Sequence, residues 1–142
     1  MVAEAQFVVR IPETIYQEMV SHIVAGYPNE ACGALGSINN EVVKNYPTAN
    51  AAEEPDDFSI ISEADIVRIY NAIDDYDGDM IYYHSHPKSE AYPSARDIDW
   101  AKRSGYLYLI FSHRHYPESP YARIFAISPE GGVTEGAIER FS

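Results

Sequence analysis

One cysteine, Cys32, occurs in 142 residues. That scarcity excludes an intramolecular disulfide and any zinc site built from cysteine alone. Cations are scarce as well, with 10 Lys and Arg against 22 Asp and Glu and a formal net charge of −12. Nucleic acids and anionic membrane surfaces are gripped through clustered Lys and Arg, so both are disfavoured as partners. No stretch reaches the roughly 18 apolar residues of a membrane span, and the opening "MVAEAQFVVRI" has no basic segment ahead of a long apolar one. A cytoplasmic protein is therefore expected. Internal repeats, low-complexity tracts and linkers are also missing.

What remains is ordinary for a globular chain, with 46% hydrophobic and 23% charged residues, well away from the disordered class. The length suits one domain with its own core, so a single domain over residues 1–142 is expected. Gln6 to Ile11 is apolar and β-branched enough for a strand, and Pro12 suits the first turn of a helix. Ile15, Met19 and Ile23, beside Tyr16 and Val20, form one apolar stripe that predicts a helix from Thr14 to near Gly26. "ACGALGSI" (31–38) and "EVVKNYP" (41–47) flank Asn39-Asn40, the pattern of a tight hairpin. "TANAAEEPDDF" (48–58) reads as a loop. Ser62 with Asp65 forms a carboxylate variant of the capping box ahead of Ile66, Ile69, Tyr70 and Ile73, a second helix ending near Gly78. Further on, Met80 to His84 reads as a strand, Ser94 to Ser104 as a helix, and Tyr106 to Ser112 and Tyr121 to Ile127 as strands. Gly131-Gly132 turns the chain into a last strand, Val133 to Ile138. Strands interspersed with three helices imply an α/β or α+β fold.

Chemistry concentrates in "IYYHSHPKSEAYPSARDIDW" (81–100). Residues i and i+2 of a strand share a face, so His84 and His86 project together while Ser85 points away. Two ligands do not make a site. The next helix begins "SARD", where Ser94 followed by an acidic residue three positions later is a capping box and needs no chemistry to explain it. Residues three apart on a helix also share a face, so Asp97 can complete a three-ligand set of His84, His86 and Asp97. Catalytic zinc takes three N or O protein ligands and keeps a fourth position for water. Capping and ligation are compatible.

The spacing His-x-His, seven residues, Ser, two residues, Asp, together with the upstream "NEACGALG", resembles the JAMM or MPN-plus metalloproteases, which cleave peptide and isopeptide bonds. The likeness runs from about Ile11 to the Tyr106 strand. It implies an MPN-type α+β domain, a curved mixed sheet flanked by helices, and one Zn2+ per chain. Position by position, His84, His86 and Asp97 resemble the zinc ligands, Glu30 the general base and Ser94 the residue that helps stabilise the oxyanion. Taken without the downstream motif, Glu30 reads as a solvated acid at the end of a helix. "HSHPKSEAYPSARDID", "NEACGALG" and "NAAEEPDDFSI" are most similar to small bacterial enzymes of the family that act on a sulfur-carrier protein. That likeness implies a ubiquitin-like carrier with a Gly-Gly tail as partner, and hydrolysis of a terminal Gly–Cys bond that releases cysteine. An extended Gly-Gly tail suits a narrow groove and pairing along a strand edge. The rivals are an isopeptidase acting on a lysine-linked modifier, a non-haem iron oxygenase with the same two-His-one-carboxylate set, and a catalytically silent MPN scaffold.

Other residues are read more plainly. His113 and His115 form a second His-x-His in "SHRHYPESP" (112–120), expected to be a solvated loop that borders the groove at most. His22 reads as a partly buried packing residue and Cys32 as a small hydrophobe. Trp100, Tyr106, Tyr108 and Phe111 read as core. Tyr92, in the loop between the ligands, is a candidate substrate contact, with loop rigidity as the alternative reading.

Overall fold

The computed structural model describes residues 7–114 and 120–142. Its elements run β1 (Val8–Pro12), α1 (Glu13–Gly26), β2 (Cys32–Ile38), β3 (Glu41–Thr48), α2 (Glu63–Asp74), β4 (Asp79–His86), α3 (Ala95–Ser104), β5 (Leu107–Ser112), β6 (Tyr121–Ile127), β7 (Val133–Glu135) and β8 (Ala137–Phe141). The strands make one mixed sheet in the order β7-β6-β5-β4-β2-β3-β1-β8. The β2–β3 hairpin forms as its Asn39-Asn40 turn predicts. Both asparagines take positive φ, 51° and 61°, which a two-residue turn matched to the strand twist requires. β4 and β5 pair in parallel, and such strands need a crossover, which α3 supplies.

The expected final strand breaks at Gly136. β7 pairs with β6 at one end of the strand order and β8 with β1 at the other, so the chain crosses between the sheet's two ends in a single residue. There the Gly136 N–H donates to the Ile124 carbonyl and the Ala137 N–H to that of Phe7. A side chain at 136 would put its Cβ 2.4 Å from the Phe7 ring, which is why a glycine stands at this crossing. The result is a curved, nearly barrel-like sheet flanked by helices, a mixed α+β architecture as expected.

Alternation along β4 feeds two cores. Ile81 and Tyr83 enter a cluster with Met19 and Ile23 of α1, Leu109 and Phe111. Tyr82 faces the other way, into a cluster with Ala101 of α3, Tyr108, Ile110 and Phe125. β4 is thus buried on both faces, as its almost uninterrupted apolar run requires, and His84 and His86 fall on the side of Tyr82.

Two local expectations are corrected. Pro12 is the last residue of β1 and the cap of α1, not part of its first turn. At α2 the Ser62 hydroxyl accepts the Asp65 N–H at 3.2 Å, but the Asp65 carboxylate pairs with Arg68 at 3.1 Å, so only half of the capping box forms. Among the described residues, no helix is long and apolar enough to cross a membrane.

Candidate metal centre

β4 ends in His84, Ser85 and His86, and the first turn of α3 brings Asp97 to the same point. His84 Nε2 and His86 Nε2 stand 3.0 Å apart. Asp97 Oδ2 lies 3.1 Å from His86 Nε2 and Asp97 Oδ1 lies 3.3 Å from His84 Nε2. All three side chains are buried. His86 Nδ1 is 2.8 Å from the Glu90 carbonyl oxygen; a carbonyl only accepts, so that nitrogen carries the proton and the Nε2 lone pair of the neutral ring turns toward the cluster. Tetrahedral zinc with bonds of 2.0–2.1 Å holds its ligand atoms roughly 3.4 Å apart. The spacing here, and the mix of two imidazoles with one carboxylate, fit such an ion.

In the metal-free chain the charges of these groups are tied to one another. Burial pushes the Asp97 carboxyl up, but the neighbouring His84 and His86 rings and the Ser94 N–H outweigh it and hold the group well below the usual carboxylate range. For His86, burial works against the charged ring, yet its bonds to Asp97 and to the Glu90 carbonyl prevail and raise its pKa.

Ser94 caps α3 in the predicted reciprocal box: its hydroxyl accepts the Asp97 N–H at 3.1 Å and its own N–H donates to Asp97 Oδ2 at 2.9 Å. The hydroxyl proton remains available to a further acceptor, and the side chain is exposed toward the groove described next. Glu30 lies between α1 and β2. Continuing the β2–β4 pairing beyond Cys32–His84 sets Glu30 beside His86. Contrary to the solvated alternative, Glu30 is buried, and burial pushes its carboxyl up to about 7, against the lowering effect of His84 and His86. Glu30, Ser94 and Asp97 share a groove of about 640 Å³, walled by Phe58, Ile61 and Trp100.

Five predicted site residues therefore converge, and Tyr92 stands apart. Its ring meets Phe125 of β6 edge-on at 5.4 Å, and it does not line that groove. His113 is corrected: it is buried rather than solvated, with its N–H on the His86 carbonyl at 3.1 Å and its ring 4.7 Å from Tyr27. The other half of that motif, His115, lies outside the described residues. His22 packs as expected, Nε2 3.0 Å from the Cys32 carbonyl oxygen. Cys32 is fully buried, and burial lifts its thiol to about 11, far from a thiolate nucleophile. Sequence reading missed Asn50, whose amide bridges Glu30 and the groove wall; an asparagine inside a polar loop was its only signal.

Known proteins resemble this chain in sequence and fold. Over 134 residues, 91% of this chain and 88% of the relative, the sequence is 32% identical to the CysO-cysteine peptidase of Mycobacterium tuberculosis. It is 38% identical over 88 residues to the desampylase of Haloferax volcanii, covering 60% of this chain and 63% of that protein. A solution structure from Desulfitobacterium hafniense superposes with TM-score 0.80 at 28% identity, covering 94% of this chain and 93% of the other. The crystal structure of a JAB1/MPN domain protein from Archaeoglobus fulgidus gives 0.60 at 14% identity, over 94% and 97%, a likeness of fold. Residues 12–126, from the cap of α1 into β6, match the family of prokaryotic homologs of the JAB domain, and the chain belongs to that family.

Proposed function

We propose that this chain is a zinc-dependent JAMM-type peptidase of the cytoplasm, a single domain over residues 1–142, that cuts the bond after the Gly-Gly tail of a ubiquitin-like sulfur carrier and releases cysteine. The observation that carries the reading is the convergence of His84, His86 and Asp97 on one point with the buried Glu30 in the groove that Asp97 also lines.

His84, His86 and Asp97 would hold the metal. Bound there, zinc supplies a Lewis acid that polarises the scissile carbonyl and makes water acidic enough to lose a proton near neutral pH. Glu30 takes that proton and passes it to the leaving nitrogen of cysteine. Burial withdraws this carboxyl from water in the groove that Asp97 also lines, a placement suited to a positioned proton acceptor. The Ser94 O–H, its lone pair already engaged by the helix cap, donates to the oxygen that gains negative charge. The groove that Glu30 and Ser94 line along α3 receives the tail in extended form, where glycine permits close backbone approach. Tyr92 would meet the released residue or the carrier outside the groove.

The similarity to the mycobacterial CysO-cysteine peptidase over nearly the whole chain supports a carrier–cysteine substrate. Similarity to a desampylase favours a second reading, removal of a small ubiquitin-like modifier from lysine. Metal content of the purified protein, measured beside mass-spectrometric cleavage of a carrier ending Gly-Gly-Cys and of a lysine-linked conjugate, separates the two. One zinc per chain with chelator-sensitive loss of a single cysteine is the expected result. Cleavage of the lysine conjugate alone selects the second reading, and cleavage of neither, or iron in place of zinc, overturns both.

A further inference from the structure

The carboxylate of Glu30 is useful only where it is held, and the regular sheet does not hold it. β2 begins at Cys32, two residues later. Both backbone polar atoms of Glu30 are instead bound by the 50–55 segment: its N–H donates to the Pro55 carbonyl at 2.7 Å, and its carbonyl accepts Asn50 Nδ2 at 2.9 Å. The same Nδ2 donates to the Phe58 carbonyl at 3.0 Å. Asn50 Oδ1 accepts the N–H of Ala52 and of Ile60, each at 3.0 Å. All four hydrogen-bonding positions of one amide are therefore filled, and the partners fix its orientation, because two are carbonyls and two are N–H groups. Phe58 and Ile60 belong to the groove wall that faces Ser94 and Trp100. A backbone N–H from Ala51 to the Ile60 carbonyl, 2.8 Å, closes the loop on itself.

We propose that Asn50 is a positioning residue that ties the 54–61 groove wall to the backbone of Glu30, so that the proton-accepting carboxylate is registered on the segment a substrate tail contacts. This rests on the peptidase reading above. Asn50 touches neither substrate nor metal ligands; it acts through Glu30. Its loss leaves His84, His86 and Asp97 untouched, because they are placed by β4 and α3. What it loosens is the distance between base and bond, where a displacement of about 1 Å can cost on the order of 100-fold in rate.

The test uses the zinc-loaded full chain and the variants Asn50→Asp and Asn50→Ala. Asn50→Asp keeps the two accepting positions and loses both donations, so it decides the matter even if Asn50→Ala folds poorly. Zinc per chain is expected to stay at the wild-type value, kcat on the carrier–cysteine conjugate to fall on the order of 10- to 100-fold, and amide exchange at Glu30 to quicken. Wild-type kcat in a zinc-loaded variant overturns the proposal. So does loss of zinc in parallel with activity, which would make Asn50 a general support of the fold. An inactive wild type overturns the peptidase reading instead, and in that case unchanged exchange at Glu30 in Asn50→Asp overturns the tether as well.

Discussion

Asp97 and Ser94 bind each other twice, and the Asp97 oxygen that accepts the Ser94 N–H at 2.9 Å is the one that lies 3.1 Å from His86. The carboxylate that closes the helix cap is the one proposed to hold the metal. Asp97→Ala should therefore lose the metal and destabilise α3 together, the second by about 1 kcal/mol, the usual worth of a cap. Metal analysis and urea melts of the metal-free proteins check the two effects separately. Full zinc occupancy in the variant would reduce Asp97 to a capping residue.

Ser94 divides differently. Ser94→Ala removes the cap acceptor and the donor to the oxyanion but no metal ligand. Zinc content should hold while kcat falls about 100- to 1,000-fold, the cost of deleting one such donor. A fall confined to stability, with kcat intact in the folded protein, would leave Ser94 as a cap and nothing more.

Glu30→Gln should keep zinc and lose hydrolysis, by at least the 100-fold typical of a positioned base. Normal turnover in this variant would reassign the proton acceptor.

The same carboxyl predicts a pH effect on the metal-free protein. Glu30 titrates at about 7 when folded and at 4.5 as a free group, so the native state binds more protons across that window. Its contribution to stability is fully present below about pH 4.5 and is lost as pH rises through about 7. Glu30→Gln, which cannot ionise, should match the wild type near pH 4.5 and exceed it by about 1–3 kcal/mol near pH 8. Denaturant melts at both pH values measure the difference, and an identical gap at the two would mean that the carboxyl is not strained by burial.

Gly33→Ala tests the core behind the site. A Cβ at this position would lie 2.5 Å from the Tyr83 ring. That ring is fully buried, and its hydroxyl is held by Asn45 at 2.9 Å, so it has nowhere to move. Overpacking of this kind costs about 1–3 kcal/mol. An unchanged Tm would show that the sheet yields there.

How much was legible in advance differs by kind of interaction. The hairpin at Asn39-Asn40, the three helices and the cap of α3 are local, set by turn conformations and side-chain periodicities that the sequence carries within a few residues. His84 and His86 belong to this class too, since a strand's period of two puts them on one face wherever the strand lies. Local pattern marked Asp97 as a cap, and only the family resemblance placed it with the histidines as a ligand. Its place beside the histidines depends on α3 crossing between the parallel strands β4 and β5, which no local pattern encodes. The break at Gly136 came from the sheet curving until its two ends meet, a global closure invisible along one apolar run. Glu30, isolated in sequence, is buried where the distant 50–61 segment meets it, Pro55 and Asn50 binding its backbone, and burial is what lifts its pKa. His113 was misread for the same reason: its neighbours Tyr27 and His86 are far away in the chain. The sequence determined which donor atoms and secondary structures this protein has, because those follow from short-range geometry. Tertiary structure alone decided which donors meet and which carboxyl is withdrawn from water, because both depend on contacts between segments that the chain brings together only by folding.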